Sequence, residues 1–326
     1  AVNDQTLTLT GTGTLTNAQA VVLNDNASRL VFSGTNSVDN VTVNAAPDAG
    51  AGLVVQETAD STVNTLTLNT ASQLVVASGS KLSVSNPLTI PEGGLSVDGA
   101  GTLQVYDALQ LNGTLAVTDS TLILEGVAVE LGADLMVGGS GSLTTDSTTE
   151  LSLLDNATLS APGLLVLQSL DVESHTLTLD NVTGLTVQDS FNLSGSAGLR
   201  SDRADLTFHG VVSVNNTGFQ REGGDLTLNA GGSFVQGLNL DNTTLELGGD
   251  LALSGEVRTN IGTVLSLGGN SLSFNSVSLQ TDGPLDLSGT SIDNQTTLHL
   301  RGDTPLTHDA PFVLNSLELA GHTLTL

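Results

Sequence analysis

Apolar and polar residues alternate along most of the chain in short blocks of the form apolar–polar–apolar. Examples are Val41-Thr42-Val43, Leu66-Thr67-Leu68, Leu151-Ser152-Leu153 and Leu298-His299-Leu300. A period of two is typical of a β-strand that buries one face and exposes the other. No comparable stretch repeats at the spacing of a helix. We therefore predict an all-β protein with little or no helix.

The blocks are separated by Gly, Asn, Asp and Ser, which are turn-forming residues. Asn-Gly and Asp-Gly pairs, which favour two-residue hairpins, are scarce; Asn112-Gly113 and Asp98-Gly99 are two of the few. Three short strands and three corners per coil give a repeat of roughly 21 residues, within the range of solenoid units. The pattern predicts a right-handed parallel β-helix, or β-solenoid, that runs as a single continuous domain through residues 1–326.

Two departures from the regular pattern concern the organisation of this solenoid. Residues 44–61 contain fewer of the blocks and include a run rich in Ala and Gly, so we predict a loop that protrudes there. The segments 161–179 and 310–326 resemble each other: Ser169–Leu179 and Ser316–Leu326 match at seven of eleven positions. We interpret them as related repeats.

The composition restricts how the core can be filled. Aromatic residues make up 2% of the chain, and Trp and Cys are absent. Globular cores normally bury large aromatic rings, so Leu and Val are expected to fill a narrow interior. The absence of Cys excludes disulfides and cysteine-based zinc or thiol chemistry.

The charge is lopsided, with 7 Lys and Arg against 34 Asp and Glu, for a formal net charge of −27. Phosphate binding needs clustered basic residues, so we expect no nucleic-acid partner. Anionic membrane surfaces are disfavoured for the same reason, and no apolar run is long enough to span a bilayer, so we expect no membrane insertion. The chain begins at Ala1 and ends in the strand-like Thr323–Leu326, which suggests a piece of a larger product or a matured subunit with open strand edges.

The strand repeats resemble those of large bacterial surface proteins. Thr10–Asn17 and Gly113–Val117 look like the repeats of autotransporter passenger domains and haemagglutinin-like exoproteins. The resemblance covers the whole chain in the style of its repeats, without a diagnostic motif. It implies export, an extracellular or cell-surface location, and a role in adhesion or scaffolding; it carries over no binding residue.

A search for catalytic residues finds no convincing set. Parallel β-helix enzymes that act on acidic polysaccharides use paired Asp residues, a His and basic residues on one face, but the sequence has no Asp-Asp, Gly-His-Gly or Arg-Ile-Lys. The one charged cluster contains Arg200, Asp202, Arg203 and Asp205, with His209 nearby. We interpret it as a solvated group of paired charges, and we predict no catalytic residue and no cofactor.

Two weaker candidates concern binding. Carboxylates at the same corner of successive coils repel each other, and Ca²⁺ with its oxygen ligands would relieve this repulsion. Asp225 and Asp250, each preceded by Gly-Gly, are the calcium candidates, although plain solvated acids are the favoured alternative. Arg301-Gly302-Asp303 is an integrin-type tripeptide and is the candidate for a receptor contact.

Three functions stay open at this level. The leading hypothesis is a non-catalytic structural or adhesive rod that is secreted or displayed on the cell surface, with a host or cell-surface glycan or protein as its partner. The alternative is a self-assembling extracellular filament or sheath subunit, whose partners are further copies of itself or neighbouring segments of a larger chain. A polysaccharide-active β-helix enzyme is the third.

Overall fold

The chain folds as a β-solenoid. The computed structural model describes residues 1–16, 19–44, 52–56, 58–194, 198–201, 203–214, 219–234, 237–260 and 262–326. None of these residues is helical, and their strands stack in parallel through about 14 turns with a spacing of roughly 21 residues. The predictions of an all-β chain, of a parallel solenoid and of the coil length are confirmed. Contacts divide the chain into two compact units, Ala1–Leu167 and Gln168–Leu326.

The first unit is built from short strands, most of them three to five residues long. In chain order they are β1 (Thr6–Thr10), β2 (Gly13–Leu15), β3 (Val21–Leu23), β4 (Arg29–Ser33), β5 (Asn36–Val43), β6 (Leu53–Val55), β7 (Asp60–Leu68), β8 (Ser72–Val76), β9 (Lys81–Val84), β10 (Leu88–Ile90), β11 (Leu95–Asp98), β12 (Thr102–Val105), β13 (Leu109–Leu111), β14 (Leu115–Thr118), β15 (Thr121–Ile123), β16 (Ala128–Leu131), β17 (Leu135–Gly138), β18 (Ser142–Thr144), β19 (Glu150–Leu153) and β20 (Ala157–Glu173), the last of which extends beyond Leu167.

Three columns of stacked strands form the first unit. Column 1 contains β1, β4, β6, β8, β11, β14, β17 and the start of β20. Column 2 contains β2, β5, β7, β9, β12, β15 and β18. Column 3 contains β3, the ends of β5 and β7, and then β10, β13, β16 and β19. Each coil therefore contributes one strand segment to each column.

The second unit repeats this construction. Its strands are β21 (Thr176–Leu193), β22 (Gly198–Ser201), β23 (Asp205–Phe208), β24 (Val212–Val214), β25 (Gln220–Glu222), β26 (Asp225–Leu228), β27 (Gly232–Phe234), β28 (Gly237–Asp241), β29 (Thr244–Leu247), β30 (Leu251–Thr259), β31 (Val264–Ser266), β32 (Leu272–Thr281), β33 (Leu285–Asp286), β34 (Thr290–Ile292), β35 (Thr297–Leu300), β36 (Thr304–Thr307), β37 (Ser316–Glu318) and β38 (Leu324–Thr325).

Its three columns are numbered separately. Column 4 contains the start of β21, β22, β25, β28, the ends of β30 and β32, β35 and β37. Column 5 contains the middle of β21, β23, β26, β29 and β31, and the parallel strands β33, β36 and β38. Column 6 contains the end of β21, β24, β27, the starts of β30 and β32, and β34.

Register keeps the apolar positions of successive coils in line. In column 1, Leu95 pairs with Leu115, which pairs with Leu135, and the Val residues two positions further on pair in the same way. Side chains alternate between the two faces of a strand, so these residues are buried and the residue between them faces outward. Backbone hydrogen bonds join each coil to the next, and identical apolar side chains fill the interior.

Phenylalanine adds to this interior in a way that the composition does not predict. Six of the seven Phe residues are buried, and four of them contact one another in the second unit. The ring centroid of Phe191 lies 4.6 Å from that of Phe208 and 6.3 Å from that of Phe219. Phe219 in turn lies 5.2 Å from Phe234. The prediction of a core of Leu and Val is thus incomplete, because the few aromatic rings are concentrated in adjacent coils.

Two threonines at matched positions of column 4 provide a test of this core. Thr259 and Thr281 are register partners and are both buried. The Thr281 hydroxyl donates to the carbonyl oxygen of Gly283 at 3.2 Å, whereas the Thr259 hydroxyl has no hydrogen-bond partner among the described residues. An unpaired buried hydroxyl costs free energy, and a methyl group of the same shape does not.

We therefore expect Thr259→Val to raise the free energy of unfolding by about 1 kcal/mol. The matched change Thr281→Val removes a hydrogen bond and is expected to lower it by about 1 kcal/mol. Urea denaturation followed by circular dichroism measures both. Equal effects of the two substitutions would show that the environments of the two hydroxyls do not differ.

The predicted loop lies partly outside the described residues, and parts of the two related segments lie in columns 4 and 5. The predicted protruding loop, 44–61, includes residues 45–51 and 57, which lie outside the described residues, and also the strand β6, which pairs with β4 and β8. In the first of the two related segments, Thr176–Leu179 lies in column 4. In the second segment, Ser316–Glu318 also lies in column 4, where it pairs with β35. The later part of the second segment contains β38, which pairs with β36 in column 5.

Candidate functional site: polar corners and outward faces

Aspartates at the corners join neighbouring coils. In nine aspartates of the described ranges the carboxylate accepts a hydrogen bond from a backbone N–H of the coil before or after, at N···O distances from 2.7 to 3.2 Å; we call these carboxylate clamps. They are Asp25, Asp119, Asp134, Asp146, Asp205, Asp250, Asp293, Asp303 and Asp309. Corner N–H groups point away from the regular ladder and need an acceptor. These nine of the 34 acidic residues therefore have a structural use.

Asp119 shows how a clamp is built. The residue has a φ of 57°, a left-handed conformation that Asp and Asn tolerate better than most residues. Its Oδ1 accepts from the backbone N–H of Ser140 at 2.7 Å and from the Ser140 hydroxyl at 3.1 Å. These two bonds, the backbone N–H first, lower the pKa of Asp119 from its ordinary value, because they stabilise the ionised carboxylate.

The pKa is lowered in four further aspartates, which are Asp25, Asp146, Asp286 and Asp293. The main cause is a hydrogen bond from a neighbouring hydroxyl: Ser28 for Asp25, Ser288 for Asp286 and Thr296 for Asp293. At Asp146, burial acts to raise the pKa, but hydrogen bonds led by those of Thr148 outweigh it. Each of these carboxylates is held in its charged form by the protein's own donors.

Side-chain amides form a second kind of link between coils. Asn24 donates to Asn3 at 3.3 Å, Asn44 donates to Asn24 at 2.9 Å, and Asn69 donates to Asn44 at 2.8 Å, so that four coils carry a continuous asparagine ladder. Other amides donate to carboxylates of the adjacent coil. These pairs are Asn64 with Asp39, Gln73 with Asp98, Gln168 with Asp189 and Asn192 with Asp171. Because basic residues are scarce, side-chain amides and backbone N–H groups act as hydrogen-bond donors to these carboxylates.

The calcium candidates Asp225 and Asp250 take part in the same system. The backbone N–H of Asp225 donates to Asp205 at 2.9 Å, and Asp250 accepts from the N–H of Ser271 at 2.8 Å. Asp225 begins a strand of column 5, whereas Asp250 precedes a strand of column 6, so the two residues stand at different corners. Among the described residues, no three His, Asp or Glu side chains are grouped so as to hold a metal ion.

The integrin-type tripeptide lies at a corner that is packed against the previous coil. Arg301 and Asp303 are exposed, and a Cβ atom on Gly302 would lie 2.5 Å from the carbonyl oxygen of Asp282. The Asp303 carboxylate accepts from the backbone N–H of Thr323 at 2.8 Å. A receptor that bound Asp303 would compete with this clamp.

The charged cluster around residue 200 is only partly described. Asp202 lies outside the described residues, while Arg200, Arg203 and Asp205 are exposed. The Asp205 carboxylate accepts from the N–H of Asp225, and the His209 ring nitrogen Nδ1 lies 3.0 Å from the side-chain nitrogen of Asn229. Asp205 and His209 therefore each bond to the following coil.

Column 4 carries a polar row that sequence reasoning missed. Its outward residues Arg258, Gln280, His299 and Glu318 are consecutive register partners. Arg258 pairs with Glu256 at 2.6 Å, and Gln280 also donates to Glu256, at 2.7 Å. The members are about one coil apart in the sequence, so no local motif contains them. The sequence does contain one signal for this row: the blocks Leu298-His299-Leu300 and Leu317-Glu318-Leu319 are separated by close to one coil length, which places His299 beside Glu318.

His299 contacts a side chain through each of its two ring nitrogens. Its Nδ1 lies 2.7 Å from Oε2 of Glu318, and its Nε2 lies 3.3 Å from Oγ1 of Thr297. The imidazole is one-third exposed. A hydroxyl, an imidazole and a carboxylate are thus joined in series on an accessible face.

The five aspartates with a lowered pKa, four of which are carboxylate clamps, lead to an expected dependence of stability on pH. The folded-state pKa of the five aspartates lies below the unfolded value, so their contribution to stability is present above the unfolded pKa and is lost as the pH falls through the folded pKa. We expect the melting temperature to fall as the pH is lowered below about 4. Thermal melts between about pH 6 and pH 2.5 measure it.

Asp119→Asn identifies the contribution of one clamp. Asparagine keeps the left-handed conformation and an acceptor oxygen but does not titrate, so the melting temperature should depend less steeply on pH. The matched control is Asp107→Asn, at an exposed residue for which the described part of the chain shows no hydrogen bond to the carboxylate. If both variants kept the slope of the parent chain, clamping by Asp119 would not explain the acid sensitivity.

Comparison with known proteins gives no identity. No family model, curated protein or solved structure matches the chain. No helix in the described ranges is both long and apolar enough to span a membrane.

Proposed function

We propose that the chain is a structural or adhesive rod that acts outside the cell or on the bacterial cell surface. The repeated construction supports this proposal: each coil adds the same three strand segments and is joined to the next by the same kinds of polar link. The resemblance of the strand repeats to autotransporter passenger domains and haemagglutinin-like exoproteins points in the same direction. In this role the outward rows of each column would meet a glycan or protein partner.

The single observation that carries the proposal is that acidic residues at the corners link neighbouring coils. Nine aspartates in the part of the chain that the structure describes accept backbone N–H bonds between coils. The corner carboxylates thus hold coils together, a structural task that requires neither a cleft nor a substrate. The formal net charge of −27 favours solubility.

Antibody labelling of the producing cells tests the location. Antibodies raised against the purified chain are expected to label intact cells, and brief protease treatment of those cells should remove the signal. A cytoplasmic protein serves as the control for lysis. Labelling that appears only after permeabilisation would contradict a surface location.

Adhesion is tested separately from location. Beads coated with the chain are expected to bind a subset of glycans or extracellular proteins on an array, and beads coated with the heat-denatured chain should not.

The alternative proposal, a filament subunit, has its own test. Imaging of the purified chain by negative-stain electron microscopy would distinguish single particles from end-to-end polymers. Release of reducing ends from polygalacturonate, abolished by Arg200→Ala, would favour the enzyme instead.

A further inference from the structure

The row in column 4 contains an arrangement that a structural role does not require. Thr297 and His299 are two residues apart on β35, so both side chains project from the same face. Glu318 is the register partner of His299 on β37 and therefore lies beside it on that face. The two contacts, 3.3 Å between Thr297 Oγ1 and His299 Nε2 and 2.7 Å between His299 Nδ1 and Glu318 Oε2, connect the three groups in one line.

The carboxylate determines which ring nitrogen carries the proton. Glu318 can only accept when it is ionised, so Nδ1 of a neutral His299 carries the hydrogen and donates it to Glu318. The lone pair of the neutral ring is then on Nε2, which faces the Thr297 hydroxyl. The carboxylate also stabilises the imidazolium that forms when Nε2 takes up a proton. Hydroxyl, base and orienting carboxylate thus have the relationship that activates a hydroxyl nucleophile.

We propose that Thr297 is a nucleophile that accepts an acyl group from activated carboxylic esters, with His299 as its general base and Glu318 as the positioning residue. Oγ1 of Thr297 forms a bond to the acyl carbon while its proton passes to Nε2 of His299. The bond to the leaving alkoxide or phenoxide breaks, and the leaving group takes the proton. Water then attacks the acyl-threonine with the same imidazole as base, which releases the carboxylic acid and restores the hydroxyl.

Neighbouring hydroxyls suit the charge that develops in this step. Ser278 on β32 and Ser316 on β37 are the register partners of Thr297 on its two sides, so their side chains project from the same face. Hydroxyl donors near a developing oxyanion stabilise it. Ser316 is exposed and Ser278 is half-buried, so a substrate can approach from the solvent. The activity is independent of the rod function proposed above.

Acetylation by p-nitrophenyl acetate tests the proposal on the full chain. We expect release of nitrophenolate together with an acetyl adduct on the peptide that contains Thr297, identified by mass spectrometry. Hydroxylamine should remove this ester, whereas acetyl amides on Lys81 or on the amino terminus resist it. His299→Gln should slow acetylation of Thr297 on the order of 10²-fold, the lower end for a positioned general base, and Glu318→Gln should slow it by a smaller factor.

Matched variants separate chemistry from folding. Thr297→Val removes the nucleophile and keeps the shape, and Thr227→Val makes the same change at an outward threonine of column 5. We expect the first to abolish the hydroxylamine-sensitive adduct and the second to leave it unchanged, with both variants matching the circular dichroism of the parent chain. If Thr297→Val failed to fold, the rates of His299→Gln and Glu318→Gln would decide. The proposal is overturned if no ester forms on Thr297, or if His299→Gln acetylates Thr297 as fast as the parent chain.

Discussion

Phe191→Ala is expected to lower the free energy of unfolding of the second unit by about 3–5 kcal/mol, the usual cost of removing a buried phenyl ring. The side chain is 5% exposed, and its ring contacts those of Phe208 and Phe219. The substitution removes the transfer free energy of the ring and leaves a cavity, and the ladder pairing of β21 with β24 restrains its collapse. It also removes two ring contacts, which contribute beyond the buried area.

Urea denaturation followed by far-ultraviolet circular dichroism measures this loss. Phe191→Leu is the matched control, because leucine keeps most of the apolar volume and occurs at neighbouring inward positions such as Leu193; it should cost less than half as much. If alanine and leucine had the same small effect, the aromatic cluster would not contribute to the stability of the second unit.

Gly34→Ala is expected to cost about 3 kcal/mol or more in the first unit, because backbone strain and overpacking add together. Gly34 has a φ of +143°, a conformation that residues with a Cβ atom rarely adopt. A Cβ atom built there lies 2.0 Å from the carbonyl oxygen of Gly11 in the preceding coil. The chain would have to separate two coils at this corner to make room.

Gly13→Ala is the matched control for this substitution. Gly13 lies in β2, next to the same corner; its φ is not positive, and nothing lies within 4 Å of a Cβ atom built on it. Alanine there should leave stability unchanged or raise it slightly, since it reduces the freedom of the unfolded chain. Hydrogen exchange should show faster exchange in β1 and β4 for Gly34→Ala alone. Equal exchange in the two variants would contradict a close approach between the coils at Gly34.

The fold could be predicted because its signal is local. Blocks such as Leu66-Thr67-Leu68 specify which side chain is buried within three residues, and the scarcity of hairpin turns favours stacking in parallel over pairing in hairpins. The coil length follows from the spacing of the blocks. The structure confirms these features because each depends on neighbouring residues.

The polar contacts could not be predicted in the same way. Asp119 and Ser140, or His299 and Glu318, become neighbours only when successive coils are placed in register, and a loop that is longer by one residue would shift the partner. Corner lengths vary from coil to coil, so the sequence shows which residues are polar but not which of them meet. The aromatic cluster escaped prediction for the same reason, since Phe191, Phe208 and Phe219 are spaced unevenly.

The short sequence distance between paired strands has a kinetic consequence. Leu95 pairs with Leu115 and Leu115 with Leu135, so the contacts join residues about one coil apart however long the chain is. Contact order relative to length therefore falls as coils are added, and each coil closes a loop of similar size with a similar entropic cost. A coil can form as soon as its predecessor is in place, and folding can proceed in the order in which the chain becomes available. Unfolding from a damaged coil would spread by the same small steps.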